Sequence, residues 1–177
     1  MCVIKNIRII FFSVLLVFFS SQSKSEIKVA FIEMNNLINQ SAAGKSLIEQ
    51  LNKIDQKNKK NLEKRKDKLN IEKNDLSQKK NILSSDEYNK KIIDLNKKFK
   101  SFQVDAKIKI DSLQSKKNTG MKKILDELNL LLSEYSNKNQ LTFIIDQKNI
   151  IIGKTDLNIT KEILELLNQK ITKINVN

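Results

Sequence analysis

The spacing of apolar residues between Lys45 and about Lys138 predicts two long helices. This stretch contains no proline and a single glycine, Gly120. Its first half has leucines every seven residues, and its second half has apolar residues at alternating steps of four and three. Both patterns are typical of the 3.5-residue repeat of a coiled coil. The repeating residues are Leu62, Leu69, Leu76 and Leu83, followed by Tyr88, Ile92, Leu95, Phe99, Phe102 and Ala106.

A polar break separates the two helical patterns. The residues Ser84-Ser85-Asp86-Glu87 favour a turn and then the acidic first turn of a new helix. We therefore predict an antiparallel helical hairpin over residues 52–123, with its tip near 84–87. Pairing about this tip brings Leu76 near Leu95 and Leu69 near Phe102. With a rise of 1.5 Å per residue, the arm is expected to project by about 60 Å.

The predicted seam between the two helices is unequal. The outgoing helix has one leucine per heptad, and its second seam position falls on lysine or on Arg65, depending on register. A stable two-stranded coil has two apolar positions per heptad, so we expect an arm that bends easily and covers its apolar residues incompletely. The alternative, that these residues are ordinary hairpin core, stays open. The candidate binding residues are Ile92, Ile93, Lys97, Lys98, Phe99, Lys100 and Phe102.

Short β-branched segments flank the hairpin and predict a small β body, built from residues 24–51 and 124–177. We expect strands at 27–32, 141–146 and 150–152, the last two joined as a hairpin by Gln147-Lys148-Asn149. A short helix follows the first strand, and a closing helix at 160–173 is capped by Asn158 or Thr160. The fold class is therefore mostly α with a small β body, an α+β fold.

Three short strands bury too little surface to anchor such an arm alone, and their edges need covering. Self-association through the body is the simplest remedy. The residues expected at that interface are Val29, Phe31, Phe143, Ile144, Ile145 and Ile151.

The first 23 residues have the pattern of a secretory signal peptide. Lys5 and Arg8 precede an apolar run of residues 9–19, and small residues allow cleavage after Ser23 or Ser25. Because a bilayer needs about 20 apolar residues, an uncleaved anchor is the weaker alternative. After cleavage the chain has neither cysteine nor histidine, since Cys2 leaves with the signal. Catalysis and metal sites based on those residues are excluded, and we expect neither an enzyme nor a cofactor.

Positive charge is concentrated in the predicted arm. Residues 52–123 hold 22 Lys and Arg against 10 Asp and Glu, a net charge of +12. The rest of the mature chain holds 9 against 10, a net charge of −1. Basic arms favour an acidic partner, which could be nucleic acid, an anionic membrane surface or acidic polypeptides. Export argues against nucleic acid.

The order of these parts resembles the Skp/OmpH family of periplasmic chaperones of Gram-negative bacteria. The resemblance rests on the first strand, the join Ser41-Ala42-Ala43-Gly44-Lys45, the long lysine-rich hairpin and the strand at 141–146. It includes Asn158-Ile159-Thr160, where the family usually has Asp-Ile-Thr. It covers the whole mature chain, through weak individual motifs in a specific order.

The resemblance implies a jellyfish-like homotrimer with a β-barrel body and three arms around a cavity. It implies a periplasmic holdase that binds unfolded outer membrane proteins without ATP. No motif matches the family's lipopolysaccharide site, and anionic lipid or lipopolysaccharide stays open as a further partner. Two alternatives remain: a structural coiled-coil spacer or tether of the cell envelope, and a nucleic-acid-binding coiled coil with a misread N-terminus.

Overall fold

A computed structural model describes residues 27–176, so the predicted signal peptide lies outside the described residues. The chain is mostly helical with one small parallel sheet. Two 3-10 turns, Gln147–Asn149 and Thr155–Leu157, connect the last elements. In chain order the main elements are β1 Val29–Ile32, α1 Met34–Gln40, α2 Ala42–Gln78, α3 Ser85–Asn139, β2 Phe143–Asp146 and α4 Thr160–Lys170.

The two strands are far apart in sequence and pair in parallel. Val29 lies opposite Phe143, and Ile32 lies opposite Asp146. On the strand β1, the carbonyl of Phe31 accepts a hydrogen bond from the N–H of Ile159 at 3.0 Å. The chain leaves the sheet at Ile32 and re-enters it beside Val29, at the opposite end, and therefore the two strands form a parallel pair rather than a hairpin.

The predicted third strand at 150–152 is wrong. After β2 the side chain of Asp146 accepts the N–H of Lys148 at 3.3 Å and starts a 3-10 turn. The chain does not fold back onto β2, and the side chains of Ile151 and Ile152 are fully exposed. A β-branched triplet promotes a strand only where a partner strand is available, and residues 27–176 of this one chain provide none.

The body has a continuous apolar core between β1, α1, α4 and the final turns of α3. In α4, Ile163 and Leu167 are buried, whereas Leu166 is partly exposed. Asn158 begins this helix, because its Oδ1 accepts the N–H of Thr160 at 3.0 Å. The buried core residues are Ala30, Ile32, Leu37, Ile38, Ala43, Leu47, Ile124, Leu128, Leu131, Ile159, Ile163, Leu167, Ile174 and Val176.

The helices α2 and α3 leave the body together as an antiparallel pair. With 37 and 55 residues, they are about 55 Å and 80 Å long. Their connection begins at Lys79, five residues before the predicted tip, and Ser84 caps α3. The Ser84 hydroxyl accepts the N–H of Glu87, and the Glu87 carboxylate accepts the N–H of Ser84. This reciprocal capping box fixes where the return helix starts.

The C-terminal residues 171–176 run back along the root of the arm. Ile174 and Val176 are buried, and Lys116 Nζ donates to the carbonyl oxygen of Val176 at 2.7 Å. Gly120 of α3 permits this close approach, since a Cβ there would lie 2.9 Å from Val176 Cγ1 and 2.4 Å from Leu47 Cδ1. The glycine is therefore required for close contact rather than for a bend.

Candidate functional site

The seam of the arm alternates buried leucines with paired polar residues. Leu69 and Leu76 of α2 are buried together with Leu95 of α3. Between and beside these leucines lie Arg65 and Glu72, so the open question of register is resolved with Arg65 in the seam. Polar residues at such positions fix the register of two helices but reduce their stability.

Two ion pairs cross between the helices of the arm. Arg65 Nη1 lies 3.3 Å from Asp105 Oδ2, and its Nη2 donates to Ser101 Oγ at 3.1 Å. Lys98 Nζ lies 2.5 Å from Glu72 Oε1. In both pairs the residue numbers add to 170, close to the 171 of the predicted contacts between Leu76 and Leu95 and between Leu69 and Phe102.

The candidate apolar binding residues divide between two faces of α3. Ile92, Phe99 and Phe102 are half-buried and pack against the three buried leucines. They serve the hairpin, which is the ordinary-core alternative that the sequence left open. Ile93 points away from this cluster and is 55% exposed.

The candidate lysines also divide. Lys98 pairs with Glu72 and, at 2.9 Å, with Asp94, and hydrogen bonds to these two carboxylates raise the pKa of Lys98. The ammonium groups of Lys97 and Lys100 make no hydrogen bond or ion pair within residues 27–176. Two of the three lysines are therefore free to attract an anionic partner.

The structure adds exposed apolar residues that the sequence interpretation missed. On α3 these are Val104, Ile108, Ile110 and Leu130, which are 52%, 59%, 66% and 57% exposed. The prediction followed only the 3.5-residue seam. Val104 and Ile108 lie with Ile93 on a second face of the same helix, and this second apolar spacing was the available signal.

A groove of about 360 Å³ lies where the arm joins the body. It is mostly apolar, although Asp55 and Lys117 stand at its rim. Ile48 and Ile110, both partly exposed, form its outer edges. The remaining residues that line it are Leu51, Asn52, Leu113 and Gln114.

A second cavity, of about 470 Å³, lies between the end of α3 and α4 in the body. Lys138 and Lys170 line it, and Lys170 Nζ lies 3.4 Å from Glu134 Oε1. The Tyr135 hydroxyl donates to Glu162 Oε2 at 3.4 Å, and burial together with the charge of Glu162 raises the pKa of Tyr135. Each of these charges already has a partner of opposite sign or lies at the rim, so the cavity lacks a focused charge.

The predicted interface residues of the body fall into two groups. Phe31 is buried within its own chain, and Ile144 packs against the body core. Phe143 is 57% exposed, and Ile151 is fully exposed. Val29 and Ile145 of the sheet are half-buried.

Among residues 27–176, no cluster of three or more carboxylate, histidine or cysteine side chains is placed to bind a metal ion. The same part of the chain contains no helix that is long and apolar enough to cross a membrane.

Comparison with known proteins gives one consistent result. Residues 28–167 match the family described as "Outer membrane protein (OmpH-like)". A Skp-like protein of Chlamydia pneumoniae is 24% identical over 169 residues, which cover 93% of this chain and 97% of that protein. A crystal structure from Caulobacter crescentus, described as an OmpH-like outer membrane chaperone, superimposes with a TM-score of 0.79 at 17% identity. That match covers 84% of this chain and 88% of the other, and shows that the two share a fold.

Proposed function

Because the chain belongs to the OmpH-like family, we propose that it is a periplasmic holdase chaperone that works without ATP. Its clients are unfolded outer membrane proteins, which it keeps from aggregating before they reach the outer membrane. The family match over residues 28–167 is the observation that carries the proposal. The chain has only three glycines in total, and no glycine-rich phosphate-binding loop is among its motifs.

The geometry of the arm supports this function. A holdase needs a surface that attracts many sequences without imposing one shape. The arm has a net charge of +12, which accelerates the capture of acidic chains. Its thin seam, with three buried leucines and polar residues between them, favours an arm that can bend around a client.

We propose that the body forms a homotrimer. The two-stranded sheet leaves an edge of β2 open within the described chain, and Phe143, Ile151 and Ile152 are exposed next to it in sequence. A neighbouring copy that covers them would complete the body. Sedimentation of the mature chain at micromolar concentration should show a trimer, and a stable folded monomer would contradict this part of the proposal.

The function is tested by diluting a urea-unfolded outer membrane β-barrel into buffer without nucleotide and following its light scattering. The mature chain should suppress aggregation in proportion to its concentration. A variant in which residues 57–110 are replaced by a short turn should keep the body and lose most of the suppression. Circular dichroism and sedimentation of the shortened variant serve as the folding control.

Two results would lead to other conclusions. A full chain that assembles with folded arms but leaves client aggregation unchanged would be an envelope spacer or tether. If the shortened body suppressed aggregation as well as the full chain, the body would be the binding element. Detection of the uncleaved chain in the cytosol would contradict the proposed periplasmic location.

A further inference from the structure

One face of α3 combines exposed aliphatic residues with unpaired lysines. We call Ile93, Lys97, Lys100, Val104 and Ile108 the lysine–aliphatic stripe. Their steps of four, three, four and four residues place them on one side of the helix. At 100° per residue this side lies about 150° from the seam residues Ile92, Phe99 and Phe102. Residues of the stripe therefore take no part in closing the hairpin.

The stripe is exposed along residues 93–108 of the returning helix. Ile93, Val104 and Ile108 are 55%, 52% and 59% exposed. From Ile93 to Ile108 the helix rises by about 22 Å. Between the aliphatic residues, the ammonium groups of Lys97 and Lys100 have no partner within residues 27–176. Asp111, which pairs with Lys107 at 3.5 Å, ends the stripe on the side of the body.

The outgoing helix supplies an internal comparison. Ile71 of α2 is 68% exposed, more than any aliphatic residue of the stripe. One turn away on either side stand Asp67, Lys68, Asn74 and Asp75, so Ile71 is a solitary surface residue. Solitary exposed aliphatic residues are ordinary on protein surfaces. Three that share one face with two free lysines between them require a different explanation.

We infer that the stripe binds an extended segment of an unfolded polypeptide that carries aliphatic or aromatic residues together with acidic ones at every second position, and therefore on one face. This inference rests on the proposed holdase function and names the surface that performs it. An extended strand of about seven residues spans the same 22 Å. Its apolar side chains would cover Ile93, Val104 and Ile108, and its carboxylates would meet Lys97 and Lys100. The unpaired positive charge of the stripe selects an acidic segment over a basic one.

The test uses the mature chain and two matched variants. The stripe variant carries Ile93→Gln, Val104→Gln and Ile108→Gln, and the control variant carries Ile71→Gln and Ile82→Gln. Glutamine is a good helix former, and all five positions are exposed, so both variants should fold like the parent chain. Helicity and sedimentation are measured for each.

Binding is measured with two 14-residue peptides that have Ser at every second position, and the positions between carry Leu and Phe together with Glu in one peptide and with Lys in the other. Both carry an uncharged fluorophore, and anisotropy is followed at low and moderate salt. The parent and the control variant should prefer the acidic peptide. The stripe variant should bind it about tenfold more weakly, because the apolar contacts are lost. The change Lys97→Gln with Lys100→Gln should remove most of the salt dependence, whereas Lys66→Gln with Lys68→Gln on α2 should keep it.

The suppression of β-barrel aggregation separates this inference from the function beneath it. If the parent chain does not suppress aggregation, the proposed function fails. If the parent suppresses it and the stripe variant does so equally well, the function stands and the stripe is not the binding surface. Equal binding of the acidic and basic peptides would also overturn the inference. So would a changed oligomeric state of the folded stripe variant, since the stripe would then contact a second copy.

Discussion

The helix α3 runs through both the arm and the body, and it packs differently in the two regions. In the body, α3 presents Ile124 and Leu128, both fully buried, to several elements at once. In the outer part of the arm, beyond the contacts with the C-terminal residues, the same helix packs against α2, and Leu95 is its one buried residue there. A core packed from all sides specifies one arrangement, whereas a thin seam allows several of similar free energy. We therefore expect the chain to combine a fixed base with a compliant arm.

The contrast extends to polar groups. Ser41 is completely buried in the body, where its hydroxyl donates to the carbonyl of Ile38 and accepts the N–H of Gly44. In the arm, the cross-helix pairs of Arg65 and Lys98 are partly exposed to solvent. Exposed ion pairs contribute little stability and weaken further with salt. The body uses polar groups to fix its geometry, and the arm uses them mainly to set a register.

The largest expected effect comes from truncating a buried leucine, and the same change can be made in the body and in the arm. Leu128→Ala should lower the free energy of unfolding by about 3–4 kcal/mol and unfold the body, because it leaves a cavity among fixed neighbours. Leu95→Ala should instead loosen the arm and leave the body folded. The fluorescence of Tyr135 reports on the body and that of Tyr88 on the arm. In a chain that carries Tyr88→Phe, the tyrosine signal comes from the body alone. Thermal unfolding followed by Tyr135 fluorescence and by helical circular dichroism measures both.

Coincident unfolding of the two probes in Leu95→Ala would contradict a separable arm. In that case the arm and the body would unfold as one cooperative unit, and the arm would not be less firmly specified than the body. Leu128→Ala provides the control, since its loss of body structure should shift both signals together.

A second prediction concerns a variant in which the seam of the arm is made as apolar as the core of the body. The changes Asn58→Leu, Arg65→Leu and Glu72→Leu give α2 a leucine at the positions between its existing ones. Asp105 keeps Lys109 at 3.5 Å and Lys98 keeps Asp94, so no carboxylate or ammonium group is orphaned. The arm should become more stable by about 2–3 kcal/mol. Limited proteolysis and thermal unfolding would measure the gain.

The same variant tests whether compliance matters for function. Its lysine–aliphatic stripe is intact, so a lower capacity to suppress β-barrel aggregation would be due to stiffness. Unchanged suppression would show that a client needs the surface of the arm and not its flexibility. An arm that is no more stable than the parent would contradict the proposed weakness of the polar layers.

Sequence periodicity predicted the arm well because each seam residue is read within its own helix. The 3.5-residue repeat placed Leu69, Leu76 and Leu95 in one cluster. The capping pair Ser84 and Glu87 was also visible in the sequence, but the preceding helix ends at Gln78 rather than at the break. Lys79 to Leu83 form turns that have no strong turn-forming residue apart from Asn81, so the pattern alone could not locate the end.

The body was harder to predict, because its contacts join distant residues. Nothing local tells that Val29 pairs with Phe143 in parallel, or that Ile150–Ile152 stays outside the sheet of its own chain. The role of Gly120 likewise depends on Val176, which lies 56 residues further along the chain. In the candidate site, the sequence could predict that Lys97 carries an exposed positive charge. It could not predict that Lys98 pairs with Glu72, because this contact depends on the register between the two helices.

A third prediction concerns the boundary between the two regions. Gly120→Ala places a methyl group against Leu47 and Val176, so the C-terminal residues should leave the root of the arm. We expect a loss of about 1–2 kcal/mol, typical of overpacking. Hydrogen exchange should show weaker protection at Ile174 and Val176, with the centre of the body unchanged. Deletion of residues 174–177 in the same background should add little further loss if the methyl group acts only through this tail.

The smallest expected effect lies at the tip, farthest from the body. The hydroxyl of Ser84 donates to a carboxylate oxygen of Glu87 at 2.7 Å and lowers the pKa of that carboxyl below its ordinary 4.5. A carboxyl with a lowered pKa in the folded state stabilises the fold above its unfolded pKa. That stabilisation is lost as the pH falls through the folded value. The capping box should therefore be intact at neutral pH and weaken only below about pH 4.5.

Ser84→Ala should cost the arm about 1 kcal/mol at neutral pH, seen as fraying of the first turn of α3. Glu87→Gln keeps a side chain that can accept the N–H of Ser84 but cannot titrate there, so its tip should lose the parent's dependence on pH below about 4.5. Hydrogen exchange at Tyr88 and neighbouring amides measures both changes, and Asp86→Asn supplies a control carboxylate in the same turn. If the parent and Glu87→Gln lost protection at the tip over the same pH range, the acid sensitivity would arise from the helix as a whole. The capping box would then not stabilise the tip separately, and the order of the arm would depend on the leucines closer to the body.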